Sequence, residues 1–168
     1  MRFAYLGSGS KGNAALVRSS STTLMLDCGF SVRETLNRFD RIGEEAASLS
    51  AIVVTHEHSD HIAGVGAVAR KLGIPVWLTA GTARAAANRL GQLPFTQIFD
   101  PHTPFVIGDI EVHPYPVPHD AAEPAQFVFS DGNTRLGVLT DVGSTTSHIE
   151  SMLGDSARYP GKSAFDKL

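Results

Sequence analysis

Short apolar runs, too brief for buried helices, recur along the chain and are separated by glycine, serine and proline turns. Phe3 to Leu6, Asn13 to Val17 and Thr22 to Leu26 come first, and the spacing predicts three strands. Ala51-Ile52-Val53-Val54 is a β-branched run and predicts a buried strand. Pro75 to Leu78, Gln97 to Phe99, Phe105 to Ile107, Ile110 to Tyr115, Gln126 to Ser130 and Arg135 to Thr140 continue the series. Gly108-Asp109 and Asp131-Gly132-Asn133 supply hairpin turns. Helical periodicity marks four other stretches. Ser31 caps a helix to Phe39 with Val32, Leu36 and Phe39 on one face, and Ile62 to Leu72 repeats the pattern until Gly73 stops it. Thr79 caps an alanine-rich helix from Thr82 to Leu90, and Thr146 caps Ser147 to Leu153. Strands and helices mixed in this way predict an α/β domain.

Composition narrows the setting. The 168 residues are enough for one domain with its own core, and 42% hydrophobic content suits it. A net charge of −3 gives no general basic footprint for nucleic acid. A single cysteine excludes an internal disulfide and fits a reducing compartment. The apolar start Phe3 to Leu6 is too short for a signal peptide, and no stretch approaches a membrane span, so a cytoplasmic protein is expected.

The chemistry concentrates directly after the Ala51–Val54 strand. His56-Glu57-His58-Ser59-Asp60-His61 packs three histidines and two acids into six residues. If strand geometry persists past Thr55, His56 and His58 point the same way, since side chains alternate with period two. Two such imidazoles can grip one Zn²⁺, and Asp60 and His61 can aim at a second ion. Two ions roughly 3.5–4 Å apart make a hydrolytic centre. The plain alternative is a polar turn with Ser59 or Asp60 as N-cap.

The HxHxDH string after an apolar strand resembles the metallo-β-lactamase superfamily. That resemblance implies an αββα sandwich and a dinuclear metal hydrolase, with residues 1–153 as the domain. The glycine-rich Gly7-Ser8-Gly9-Ser10-Lys11-Gly12 matches GxGxxG, but a strand follows where a dinucleotide fold needs a helix, so a Rossmann unit is rejected. The loop is either a plain turn or an anion-holding element working through its backbone N–H groups and Lys11, with Ser8 and Lys11 as candidate substrate contacts. Its SGSKGN string is similar to the cytoplasmic branch that includes ribonuclease Z, phosphoribosyl cyclic phosphodiesterase and related DNA exonucleases.

The resemblance also assigns roles by position. Asp27, in Asp-Cys-Gly at a strand end, would orient liganding histidines from behind. His119, which spacing alone leaves open between a ligand and a loop histidine, would be the third ligand of the first ion. Asp141 would bridge both ions. The expected metal set is therefore His56, His58, Asp60, His61, His119 and Asp141, with Asp60 also holding the attacking water. Cys28 reads as a small buried hydrophobe, and His102, His113 and His148 as structural or exposed.

The family's closing strand and last histidine are not found in GDSARYPGKSAFDKL, so residues 154–168 are expected to be an altered or disordered tail. The second half of the sandwich would then be incomplete, the second ion short of one ligand, and a sheet edge uncovered, which leaves room for a homo-oligomer. The expected function is phosphodiester hydrolysis, on nucleic acid or a related ester, with two Zn²⁺ sites or Mn²⁺ in their place and no membrane. Thioester, lactam or lactone hydrolysis on the same centre, or an inactive metal-binding fragment, are the alternatives.

Overall fold

The computed structural model describes residues 1–154. The tail expected over 154–168 lies outside the described residues except for Gly154. Two sheets face each other. One has six strands: β1 (Arg2–Gly7), β2 (Ala14–Arg18), β3 (Thr23–Leu26), β4 (Ala51–Val53), β5 (Pro75–Thr79) and β6 (Phe95–Phe99), hydrogen-bonded in that order. β1, β2 and β3 are antiparallel neighbours, while β3 to β6 run parallel. The second sheet is an antiparallel meander of β7 (Phe105–Ile107), β8 (Ile110–Pro116), β9 (Ala125–Ser130) and β10 (Arg135–Val138).

Alternation along the strands builds two cores at once. Leu24 and Leu26 on β3, and Ala51 and Val53 on β4, face the second sheet and pack with Val112, Phe127 and Phe129. Met25 and Ile52 point the other way, toward helices α1 (Val32–Arg41), α3 (Val65–Leu72) and α4 (Ala80–Leu90). Outside the second sheet, α5 (Ser147–Gly154) sets Ile149 against Tyr115, Val117 and Val128. Helices thus cover both outer faces of two packed sheets, which is the αββα arrangement.

The structure departs from the sequence expectations where tertiary bonds override local pattern. The stretch read as one helix from Ile62 to Leu72 is two: α2 (Ser59–Ile62) and α3. Gly64 breaks them because its N–H donates to the Cys28 carbonyl at 2.8 Å. The strand read as Ala51 to Val54 ends at Val53, so the condition that strand geometry persists past Thr55 is not met and His56 and His58 stand on a loop. α2 starts after His58, which occupies the N-cap position proposed for Ser59 or Asp60. The strand read as Arg135 to Thr140 stops at Val138, because the Gln126 side chain takes over at Thr140, accepting from its N–H at 3.1 Å and donating to its carbonyl at 2.9 Å. β6 is longer than expected, pairing with β5 from Pro75↔Phe95 to Thr79↔Phe99. The other outer strand of that sheet is β1, and β6 leaves Phe95 and Ile98 exposed. Among the described residues no helix is long and apolar enough to cross a membrane.

Candidate metal centre

The parallel strands β3 and β4 end side by side, with Leu26 opposite Val53. Their outgoing loops hold each other through the backbone. Asp27 N–H donates to the Val53 carbonyl at 2.9 Å, Cys28 N–H to the His61 carbonyl at 2.7 Å, and Asn13 N–H to the Asp60 carbonyl at 2.7 Å. The fit leaves no room for a side chain at Gly29, where a Cβ would stand 1.8 Å from the Asp60 carbonyl oxygen.

His56, His58 and His119 converge. The Nε2 of His119 lies 3.2 Å from His56 Nε2 and 3.2 Å from His58 Nδ1. The rings stand nearly perpendicular, with interplanar angles of 82°, 85° and 75°. Three nitrogens at this spacing match the edge of a tetrahedron around a cation, about 3.3 Å for bonds of roughly 2.0–2.1 Å. A second group joins His56 and His61 to Asp141, whose Oδ2 is 2.7 Å from His61 Nε2. His56 belongs to both groups.

Hydrogen bonds orient these rings. Thr55 Oγ1 donates to Asp27 Oδ2 at 2.8 Å, so it accepts from His56 Nδ1 at 2.9 Å. That turns the lone pair of His56 Nε2 toward His119. His61 Nδ1 donates to Asp27 Oδ2 at 2.7 Å, which turns its Nε2 toward Asp141. Burial, reinforced by the neighbouring charge of His61, pushes the pKa of His56 down to about 4, leaving the ring neutral near pH 7. At His61 burial pulls the same way, but the hydrogen bond and charge of Asp27, with Asp141 and Asp60, outweigh it and raise the pKa.

The second sheet delivers the other two residues. His119 follows β8 on a loop fixed at several points. Ala122 N–H donates to Glu57 Oε1 at 2.7 Å, Gly81 N–H to Glu123 Oε2 at 2.6 Å, and Thr79 Oγ1 to the Glu123 carbonyl at 2.9 Å. Asp141 follows β10. Asp27 and Asp141, at φ 58° and 49°, are the two non-glycine residues with positive φ among the described residues. Such backbone costs on the order of 1–3 kcal/mol and persists where the surroundings impose it.

All six predicted metal residues therefore meet in one place, with two differences. Asp60 joins neither group: its Oδ2 lies 3.6 Å from His61 Nε2 and accepts from Asn13 Nδ2 at 2.9 Å. Asp141 is grouped with His56 and His61 and not with His58 and His119; His56 stands in both groups, but with its Nδ1–H donated to Thr55 it has one free nitrogen, Nε2, and can ligate one ion only. Ser8, Gly9, Ser10 and Asn13 line an open cleft with Asp60, Thr140 and Asp141. Lys11, on the same loop, is exposed and not part of the cleft wall. His113 pairs with Glu111 at 3.1 Å on β8, and His102 is exposed beyond β6. Thr55 and Asn13 carry site geometry that the sequence reading passed over. Their signals were position alone: Thr55 directly precedes the histidines, and Asn13 closes the glycine-rich string.

The profile of the beta-lactamase superfamily domain matches residues 22–158. The chain belongs to that superfamily. It is 35% identical to exodeoxyribonuclease YycJ of Bacillus anthracis over 168 residues, covering 99% of this chain and 64% of that protein. Ribonuclease Z of Mycobacterium bovis is 43% identical over 68 residues, covering 40% of this chain and 22% of that protein. Among solved structures, Rm3 metallo-beta-lactamase superposes with a TM-score of 0.66 at 17% identity, over 92% of this chain and 68% of that one. That last likeness shows the superfamily fold. The chain spans just under two thirds of the length of the Bacillus relative.

Proposed function

We propose that this chain carries the centre of a metal-dependent phosphodiesterase of the nuclease type. The observation that supports it most is the convergence of His56, His58 and His119, with His61 and Asp141 beside them at the edge of an open cleft. His56, His58 and His119 would hold one ion, and His61 and Asp141 would be donors to a second. Imidazole and carboxylate donors suit Zn²⁺, and Mn²⁺ is the alternative at the group containing Asp141. Divalent ions in these positions supply Lewis acidity toward a phosphoryl oxygen and make water more acidic.

The chain's own residues do the rest. Asp27 and Thr55 fix the ring orientations, so the nitrogens need no rearrangement when charge develops. Asp60 faces the cleft with one oxygen held by Asn13, and its Oδ1 is the acceptor we assign to the proton of the attacking water. Ser8 and Ser10 in the cleft wall offer hydroxyls to the ester, while Lys11, exposed on the same loop, adds a positive charge to that loop. Nuclease names among the relatives favour a nucleic-acid substrate. The single cysteine, buried and unpaired, fits a cytoplasmic setting.

The deciding experiment compares hydrolysis of bis-p-nitrophenyl phosphate with that of a chromogenic lactam and a thioester, using Zn²⁺- or Mn²⁺-loaded chain. Metal-dependent release from the phosphodiester alone is expected. Cleavage of the lactam or thioester with the phosphodiester untouched would overturn the substrate class.

A further inference from the structure

Asn13 touches more of the centre than any role assigned so far explains. Its Oδ1 accepts from Gly9 N–H at 2.8 Å. A backbone N–H can only donate, so the opposite end of the amide must be the NH₂ group. That group donates to Asp60 Oδ2 at 2.9 Å and reaches the Gly9 carbonyl at 3.2 Å and His61 Nε2 at 3.0 Å. The backbone of the same residue donates to the Asp60 carbonyl at 2.7 Å and accepts from Gly29 N–H at 2.9 Å. One residue thus ties together the glycine-rich loop, the histidine loop and the Asp-Cys-Gly loop.

The consequence concerns Asp60. Its side chain is part-exposed and stands outside both donor groups, although its carboxylate is only 3.6 Å from His61 Nε2. The amide hydrogens of Asn13 decide how near that negative charge comes to the His61–Asp141 pair and which oxygen is left facing the cleft. The same amide closes the Gly9 turn, so one side chain links the cleft wall to the Asp60 carboxylate. Resting on the phosphodiesterase reading above, we infer that Asn13 is a positioning residue that acts through Asp60, setting its carboxylate against the second cation group and the substrate cleft.

The test is a double-mutant cycle on the full chain, using Asn13→Ala, Asp60→Ala and the combination. Two quantities are read: affinity for Mn²⁺ alone, followed by electron paramagnetic resonance of the free ion, and kcat on bis-p-nitrophenyl phosphate. Removing a supporting hydrogen bond near a metal typically costs 10–100-fold, so Asn13→Ala is expected to weaken the looser Mn²⁺ site about tenfold and to lower kcat. In the Asp60→Ala background the same change is expected to matter less than about twofold, because its target is gone. Asn13→Ser, whose hydroxyl keeps a polar group under the Gly9 turn but is too short to replace the amide at Asp60, gives the same comparison if Asn13→Ala does not fold. Unaltered Mn²⁺ affinity, or effects that multiply independently of Asp60, would overturn the inference while leaving the phosphodiesterase reading intact. A parent chain that binds no Mn²⁺ and spares the phosphodiester removes that reading, and the inference with it.

Discussion

Asp27 holds His61 from behind: its Oδ2 lies 2.7 Å from His61 Nδ1, with both side chains buried. The same carboxylate accepts from Thr55 N–H and Thr55 Oγ1, each at 2.8 Å, so it orients His56 as well through the threonine hydroxyl. Asp27→Asn is expected to put an N–H group against a ring N–H and force His61 into the tautomer that presents Nε2–H to the second donor group. Zn²⁺ affinity should fall on the order of 10–100-fold. Competition with a chromophoric chelator measures it, and a change smaller than twofold would sink the orienting role.

Asp141 and His102 make a contrasting pair. Asp141 Oδ2 contacts His61 Nε2 at 2.7 Å, whereas His102 sits in an exposed turn, its backbone N–H donating to the Asp100 carboxylate. Asp141→Ala should lose bound metal and hydrolysis together, while His102→Ala should change neither. Elemental mass spectrometry of the purified variants settles it, since equal metal content in the parent chain and Asp141→Ala would falsify the assignment.

The glycines that let the loops meet should be intolerant. A Cβ at Gly64 would stand 1.8 Å from the Phe30 carbonyl oxygen, and one at Gly29 equally close to that of Asp60. Backbone atoms cannot swing aside as a flexible side chain does. Gly64→Ala and Gly29→Ala are each expected to cost about 3 kcal/mol in urea unfolding. Stability within about 0.5 kcal/mol of the parent would mean that the loops are not packed as described.

Cys28 should behave as a core residue. It is fully buried, and burial raises its thiol pKa above the ordinary 9.0 despite its hydrogen bond to Thr35. Iodoacetamide should therefore label it only under denaturing conditions. An acid whose pKa is raised in the folded state keeps its proton there while the unfolded chain loses it. The linked stability is intact below pH 9 and declines as pH rises beyond that value. Cys28→Ala should accordingly show a smaller loss of stability between pH 8 and pH 10 than the parent chain, as read by denaturant midpoints.

Much of this was legible in the residues. The alternating apolar runs gave the strands, because a sheet buried on one or both faces writes its period into the chain. The three histidines after Val54 announced a site by density alone. His119 and Asp141 were not readable from spacing, since they arrive from the other sheet, and their roles came from family resemblance. The break at Gly64 was invisible because Ile62 to Leu72 keeps helical periodicity throughout. Only the bond to the Cys28 carbonyl, a contact distant in sequence, decides it. Asn13 was hidden for a similar reason: an asparagine after glycines reads as turn chemistry, and its partners Asp60 and His61 lie nearly fifty residues away.

The division of donors between the two sheets has a last consequence. His56, His58 and His61 are anchored to the six-stranded sheet, and His119 and Asp141 to the four-stranded one. The distance between donors is therefore a reading of the gap between the sheets. That gap is filled by core rings such as Phe99 and Phe127, 5.6 Å apart between the layers. With cations held as proposed, their affinity would work as a caliper on the interior: a core substitution that closes or widens the layers would register at the donors even when none of them has been touched.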